Sequence, residues 1–250
     1  MKSVSFSIRR VNRLRRAAER ARAVDADHPD PPPIGSLSDG WSVSRYKANE
    51  LLRVFDTLWL KAGFTLHAYE FQAGGNGNGI IWAVPADAPQ IAPDDCPRVE
   101  DAWLQPPRPP EAVPLMQAIE GDGSPWSYLS ASILSREAAE FGAIWHGCVW
   151  SDQAILSKSP RQAEGEDTSY DPMKPNRDAP VSNWTWCGTA PRTWKPTYTD
   201  RGTTRQVVLH IHNPIGREEI YRATDTYPVG SYDGQTETTV LCTGDDGVDY

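Results

Sequence analysis

Arg205-Gln206-Val207-Val208-Leu209-His210-Ile211-His212 and Glu219-Ile220-Tyr221-Arg222-Ala223-Thr224-Asp225-Thr226 flank the segment Asn213-Pro214-Ile215-Gly216. The two outer runs are rich in β-branched and aromatic residues, which suit a pleated surface. Asn, Pro and Gly between them favour reversal of the chain. The reading is a β-hairpin, and the segments around it extend the pattern. Asn183–Cys187, Trp194–Tyr198 and Thr238–Cys242 share the bias, and Thr199-Asp200-Arg201-Gly202 reads as a second hairpin turn. Upstream the period changes. Ala48, Leu51, Leu52, Phe55, Leu58, Trp59 and Ala62 recur at helical steps, predicting a helix over Ser44–Ala62 that is capped by Ser44 and ended by Gly63. Ser124-Pro125 is a helix start. Trp126, Leu129, Ile133, Leu134, Ala138 and Phe141 form the apolar face that follows, with Ser127, Ser130, Arg136, Glu137 and Glu140 as the polar one. Early helices and late hairpins predict an α+β fold: a mainly antiparallel sheet packed by two amphipathic helices, with long Pro-rich loops.

The remaining segments fill in this frame. Phe64–Phe71 and Ile80–Val84 read as strands on either side of Ala73-Gly74-Gly75-Asn76-Gly77-Asn78-Gly79. A phosphate cradle would need a helix after those glycines, so a hairpin reversal fits better. Residues 85–114 hold nine prolines and read as a long excursion over the surface. A short helix is expected near Leu115–Glu120, and Ala143–Trp150, apolar on both alternating faces, is expected to be a central strand. Residues 157–182 read as another long loop. Trp59, Trp126 and Trp145 fall on apolar faces and are expected in the core.

Charge divides the chain unevenly. The total is −8, yet residues 1–24 carry eight basic side chains against Glu19 alone. The rest is therefore strongly acidic and repels phosphate backbones, so nucleic acid is not an expected partner for it. Val4, Ile8, Val11, Leu14, Ala18 and Ala21 recur at helical spacing within the basic stretch. The organisation expected is a basic amphipathic arm (1–24), a Pro/Asp-rich linker (25–40) and one globular body (41–250). The arm admits four readings: a helix drawn to its own acidic body, a dock for anionic lipid or a protein, a nucleic-acid contact, or a transit peptide. No run of 18 apolar residues exists, so no membrane-spanning helix is expected. Cys96, Cys148, Cys187 and Cys242 form no C-x-x-C pair, which argues against a structural zinc site and for a reduced, cytoplasmic protein.

Chemistry-bearing patterns are few. His210 and His212 are two apart on a predicted strand and so share a face, with Glu218 after the next turn. Imidazole and carboxylate together suit a divalent metal, so these three are the candidate ligands. The pair resembles the opening of the cupin motif, but Glu218 follows after five intervening residues and Asp233 stands where the later histidine belongs; the resemblance is not adopted. His67 and His146 sit among apolar neighbours and read as neutral core residues. No nucleophile elbow, phosphate loop or H-E-x-x-H helix is present. Trp184 and Trp186 share a strand face and are the candidate binding residues, able to anchor a protein partner or stack on a sugar if exposed. The function expected is therefore a soluble binding or accessory protein. A metal-dependent enzyme built on the His-x-His pair and a protein recruited by its basic arm are the alternatives.

Overall fold

The computed structural model describes residues 2–22, 40–73, 76–143, 149–163 and 179–247. It opens with β1 (Lys2–Ser5), α1 (Ile8–Arg22), β2 (Gly40–Val43), α2 (Ala48–Arg53) and β3 (Leu58–Leu60). Next come β4 (Phe64–Ala73), β5 (Asn76–Pro85), β6 (Val113–Pro114), β7 (Ile119–Gly121), α3 (Pro125–Ala139) and α4 (Val149–Asp152). Short strands follow: β8 (Ala154–Ile155), β9 (Arg161–Gln162), β10 (Val181–Ser182) and β11 (Thr185–Trp186). The chain ends with β12 (Thr197–Asp200), β13 (Thr204–Asn213), β14 (Arg217–Pro228) and β15 (Gln235–Asp246). The fold is α+β, and its sheets are mainly antiparallel.

Contacts divide the chain into two units. One comprises Met1–Arg13, Ser151–Val229 and Gly234–Tyr250; the other comprises Leu14–Trp150 and Gly230–Asp233. This is not the division into arm, linker and body that composition suggests. Residues 2–5 are a sheet strand, with Val4 opposite Tyr198 in the ladder between β1 and β12. Val11, Ala18 and Ala21 of α1 are buried, whereas Arg9, Arg13, Arg16 and Arg20 are exposed. The linker at 25–40 lies outside the described residues except for Gly40.

The first unit contains the short parallel pair β9–β10 and a seven-stranded antiparallel sheet, ordered β1-β12-β13-β14-β15-β11, with β8 also paired to β13. The hairpin at its centre is the one read from sequence. β13 and β14 pair from Thr204 opposite Pro228 to Asn213 opposite Glu219. Val207, Leu209 and Ile211 are fully buried on one side of β13. On the other side Leu156, Trp184, Trp194, Ile220, Leu241 and Cys242 form a core cluster.

The second unit contains the four-stranded sheet β2-β4-β5-β6 and the β3–β7 pair. β4 and β5 form the expected hairpin, in register from Phe64 opposite Pro85 to Ala73 opposite Asn76. The glycine-rich stretch thus continues into a strand instead of opening a helix. The proline-rich excursion after β5 folds back over this sheet. Cys96 and Ala112 join Tyr69, Trp82 and Val84 in one buried cluster. Three buried or half-buried aromatic side chains tie the excursion down through its carbonyls: Tyr69 Oη donates to Ile91 O (2.9 Å), Trp82 Nε1 to Pro107 O (2.8 Å) and Trp41 Nε1 to Leu104 O (2.9 Å).

Helical or strand expectations change in three regions of this unit, the first being the paired segments 44–62 and 115–121. The helix expected over Ser44–Ala62 is cut to α2. Val54 N and Phe55 N bond three residues back, to Leu51 O (3.2 Å) and Leu52 O (3.0 Å), which tightens and ends the helix. Leu58–Leu60 is then extended, because Ile119–Gly121 supplies its ladder. Leu51, Phe55 and Leu58 are buried as the stripe requires, but Trp59, expected in the core, is 45% exposed. The short helix expected near Leu115–Glu120 is a 3-10 turn at Leu115–Ala118 that runs into β7.

The second change concerns α3. Its start is as read: Ser124 caps the helix, its Oγ accepting from Ser127 N at 3.1 Å, and Pro125 opens it. It is not amphipathic, however. Ser127, Ser130, Glu137 and Glu140, expected to face water, are all buried. Ser127 turns its hydroxyl back to Ser124 O (2.8 Å), and the glutamates pair with arginines of α1. Third, of the strand expected over Ala143–Trp150, residues 144–148 lie outside the described residues, and Val149 and Trp150 are helical in α4.

Candidate functional site

Strand alternation on β13 does place His210 and His212 on one face. Their ladder partners on β14 are Arg222 and Ile220. Both histidines are buried, in the middle of the sheet and not at its edge, because β8 covers β13 at Ile211 and His212. Nδ1 of His210 lies 3.3 Å from Trp194 O. A carbonyl only accepts, so this nitrogen carries the proton. Burial pushes the His210 pKa below the ordinary histidine value; the Trp194 carbonyl pulls it back up and the nearby Arg222 charge lowers it further. Nε2 of His212 lies 3.1 Å from Glu218 Oε1, and both side chains are almost wholly buried.

Three tryptophans frame the two rings. Trp184 meets His212 edge-on (5.9 Å, 82°), and Trp194 lies over His210 at 5.0 Å. Trp186 meets Trp194 at 6.1 Å and 66°. The packing is close enough to require glycine at 244. A Cβ there would sit 2.6 Å from Ser182 Oγ, 2.9 Å from Trp184 Cζ3 and 3.1 Å from Glu218 Cβ. The two candidate tryptophans therefore have different fates. Trp184 is buried and its indole N–H has no hydrogen-bond partner among the described residues, whereas Trp186, on the edge strand β11, is 38% exposed.

The structure thus brings together all five residues singled out from sequence. Of the three candidate metal ligands, His212 and Glu218 engage each other, and His210 is committed through Nδ1 to a backbone carbonyl. Among the described residues no group of three or more His, Cys, Asp or Glu is placed to hold a metal. His67, on β4 in the second unit, is buried, and burial lowers its pKa; His146 lies outside the described residues. Cys187 is exposed beside Trp186, while Cys242 is buried and its pKa is pushed up to about 12 by burial and by Cys187. In the second unit an open hollow of about 290 Å³ between α2 and β3 has Leu52, Phe55 and Trp59 in its lining.

Sequence reasoning passed over Trp103, which is 77% exposed. The available signal was an aromatic residue standing without periodic apolar partners among prolines and acids.

The depressed pKa of His210 has a pH consequence. Below about pH 6.5 the unfolded chain binds a proton at this histidine and the folded one does not. Stability therefore falls as the pH drops from 6.5 towards the folded pKa and is insensitive to this group above that window. His210→Gln is expected to flatten this limb in melting curves taken between pH 8 and pH 5. An unchanged acid limb would show that other groups produce it.

No family model, curated protein or solved structure matches the chain. No helix among the described residues is long and apolar enough to cross a membrane.

Proposed function

We propose that this chain is a binding protein that captures a protein partner through the Trp186 edge of its seven-stranded sheet. The observation that carries this reading is the bracing of an exposed tryptophan. Trp186 is 38% exposed, and its ring is backed by Trp194, which rests on the buried His210. An aromatic plate held in this way offers a large apolar contact with little side-chain freedom left to lose on association. Tryptophans of this kind dominate the energetics of many protein interfaces.

Cys187 provides the readout, since it is exposed next to the plate. Affinity capture with the whole chain is expected to recover a reproducible partner, and Trp186→Ala is expected to weaken capture at least tenfold while still folding cooperatively, its melting temperature lowered only by the lost contact with Trp194. The recovered partner should also slow labelling of Cys187 by a maleimide. If capture and labelling are the same for wild type and variant, the Trp186 edge is not the binding surface.

The His212–Glu218 pair favours a second reading, a metal-dependent enzyme, because those two side chains already meet at 3.1 Å. Binding would require Glu218 to exchange its imidazole partner for an ion, with His210 turned to join it. A rise in melting temperature on adding a stoichiometric divalent ion would support this reading.

A further inference from the structure

We propose that the loop carrying Trp103 is a second docking surface, built for a protein that offers an apolar pocket bordered by lysine or arginine. Trp103 is the most exposed large apolar side chain among the described residues. The loop that presents it is nonetheless pinned. Val99 N donates to Pro106 O (3.0 Å), Ala102 N to Val99 O (3.1 Å), Gln105 N to Ala102 O (3.0 Å) and Arg108 N to Pro97 O (2.8 Å). The buried indole of Trp82 and the half-buried one of Trp41 hold it at Pro107 O and Leu104 O.

Leu104 and Gln105, directly after Trp103, have φ of 61° and 44°. These are left-handed conformations that residues with a Cβ seldom adopt and that persist only where the surroundings impose them. Such strain is common where a side chain is held out for use. A structural tryptophan would turn inward; this fold keeps its neighbours strained and leaves the ring in water.

Charge selects the partner. Asp94, Asp95, Glu100 and Asp101 are all exposed on the same excursion. Arg98 is the one basic residue between Asp94 and Asp101, and it bonds Asp94 at 3.3 Å. An exposed tryptophan can also stack on a nucleic-acid base or settle at a membrane surface. Both of those partners bring phosphates, which these carboxylates repel. A cationic protein surface satisfies the acids and the ring together, since lysine and arginine also bind indole faces.

The experiment uses the whole chain and a fluorescently labelled helical peptide of alternating leucine and arginine pairs as the probe. Its leucine–glutamate counterpart serves as control. Wild type is expected to bind the arginine peptide at least tenfold more tightly than Trp103→Ala does. Glu100→Lys combined with Asp101→Lys should weaken binding to a similar degree, Trp103→Phe should retain most of it, and added salt should weaken it. Because Trp103 is solvent-exposed, the variants should melt like wild type. Equal affinity of wild type and Trp103→Ala would reduce the binding to general attraction by an acidic protein and overturn the proposal. So would a Trp103-dependent affinity for anionic vesicles or oligonucleotides, or Trp103-dependent self-association, which would assign the loop to a different partner. Loss of Trp186-dependent capture would leave this result untouched, so the two surfaces fail separately.

Discussion

Arg22→Ala is expected to destabilise the second unit by about 3–5 kcal/mol, the usual effect of removing one partner from a buried ion pair. Arg22 Nη1 donates to Glu140 Oε2 at 2.7 Å and to Glu140 O at 3.1 Å, and its Nε lies 3.5 Å from Glu137 Oε2. Arg15 donates to Trp150 O at 2.7 Å and stacks on the Trp150 ring at 3.8 Å. Trp150 in turn donates its backbone N–H to Glu140 and its indole N–H to Glu137. All these side chains are buried. Burial pushes the Glu137 carboxyl up from its usual range, while Arg22, the Trp150 indole and Arg15 pull it back down. Without Arg22, both glutamates would lose their closest counter-charge and remain out of water. Denaturant unfolding measures the loss. Arg15→Met and Arg22→Met combined with Glu137→Gln and Glu140→Leu should recover most of it, because replacing both arginines together with the two glutamates by neutral side chains of similar volume leaves no stranded charge. If Arg22→Ala unfolds at the same denaturant concentration as wild type, the cluster does not hold α1 to α3.

That cluster also marks where the sequence stopped being legible. α1 was readable as amphipathic, but the pairing of its arginines was not. Arg15 and Arg22 look like solvated charge until Glu137 and Glu140, more than a hundred residues later, come into contact with them. The β13–β14 hairpin was legible almost to the residue, because a period of two and a turn between the runs are local signals. The helix expected over Ser44–Ala62 failed for the converse reason. Leu51, Phe55 and Leu58 are spaced to suit either a continuous helix or a helix followed by a turn. The choice was made by a non-local ladder to Ile119–Gly121. The candidate site behaved in the same way. Strand alternation placed His210 and His212 on one face, but the neighbours that fix their chemistry, Trp194 O and Trp184, come from distant segments. Trp103 left no periodic trace at all, since its role depends on a loop whose strain appears only in the backbone angles.

Gly79→Ala is expected to cost about 3 kcal/mol or more, as much as severe overpacking of a core. A Cβ at this position would lie 1.9 Å from the carbonyl oxygen of Phe141 and 3.0 Å from that of Tyr69. Neither obstacle is a flexible side chain. The Tyr69 carbonyl belongs to the β4–β5 ladder, in which Gly79 pairs with Glu70. Phe141 is fully buried, meets Tyr46 edge-on at 6.3 Å, and bonds through its N–H to Ala138 O at 3.3 Å. Gly142, the next residue, has φ of 72°, a turn conformation that also constrains the Phe141 carbonyl. Relief would therefore require the end of α3 to separate from β5, with loss of the packing between them. Gly63→Ala is the control: φ there is 84°, but nothing lies within 4 Å of the added Cβ, so only the backbone preference opposes it, at about 1 kcal/mol. Denaturant midpoints of the two variants should differ accordingly. If Gly79→Ala is no less stable than Gly63→Ala, the backbone of β5 does not lie against the end of α3 as the structure places it.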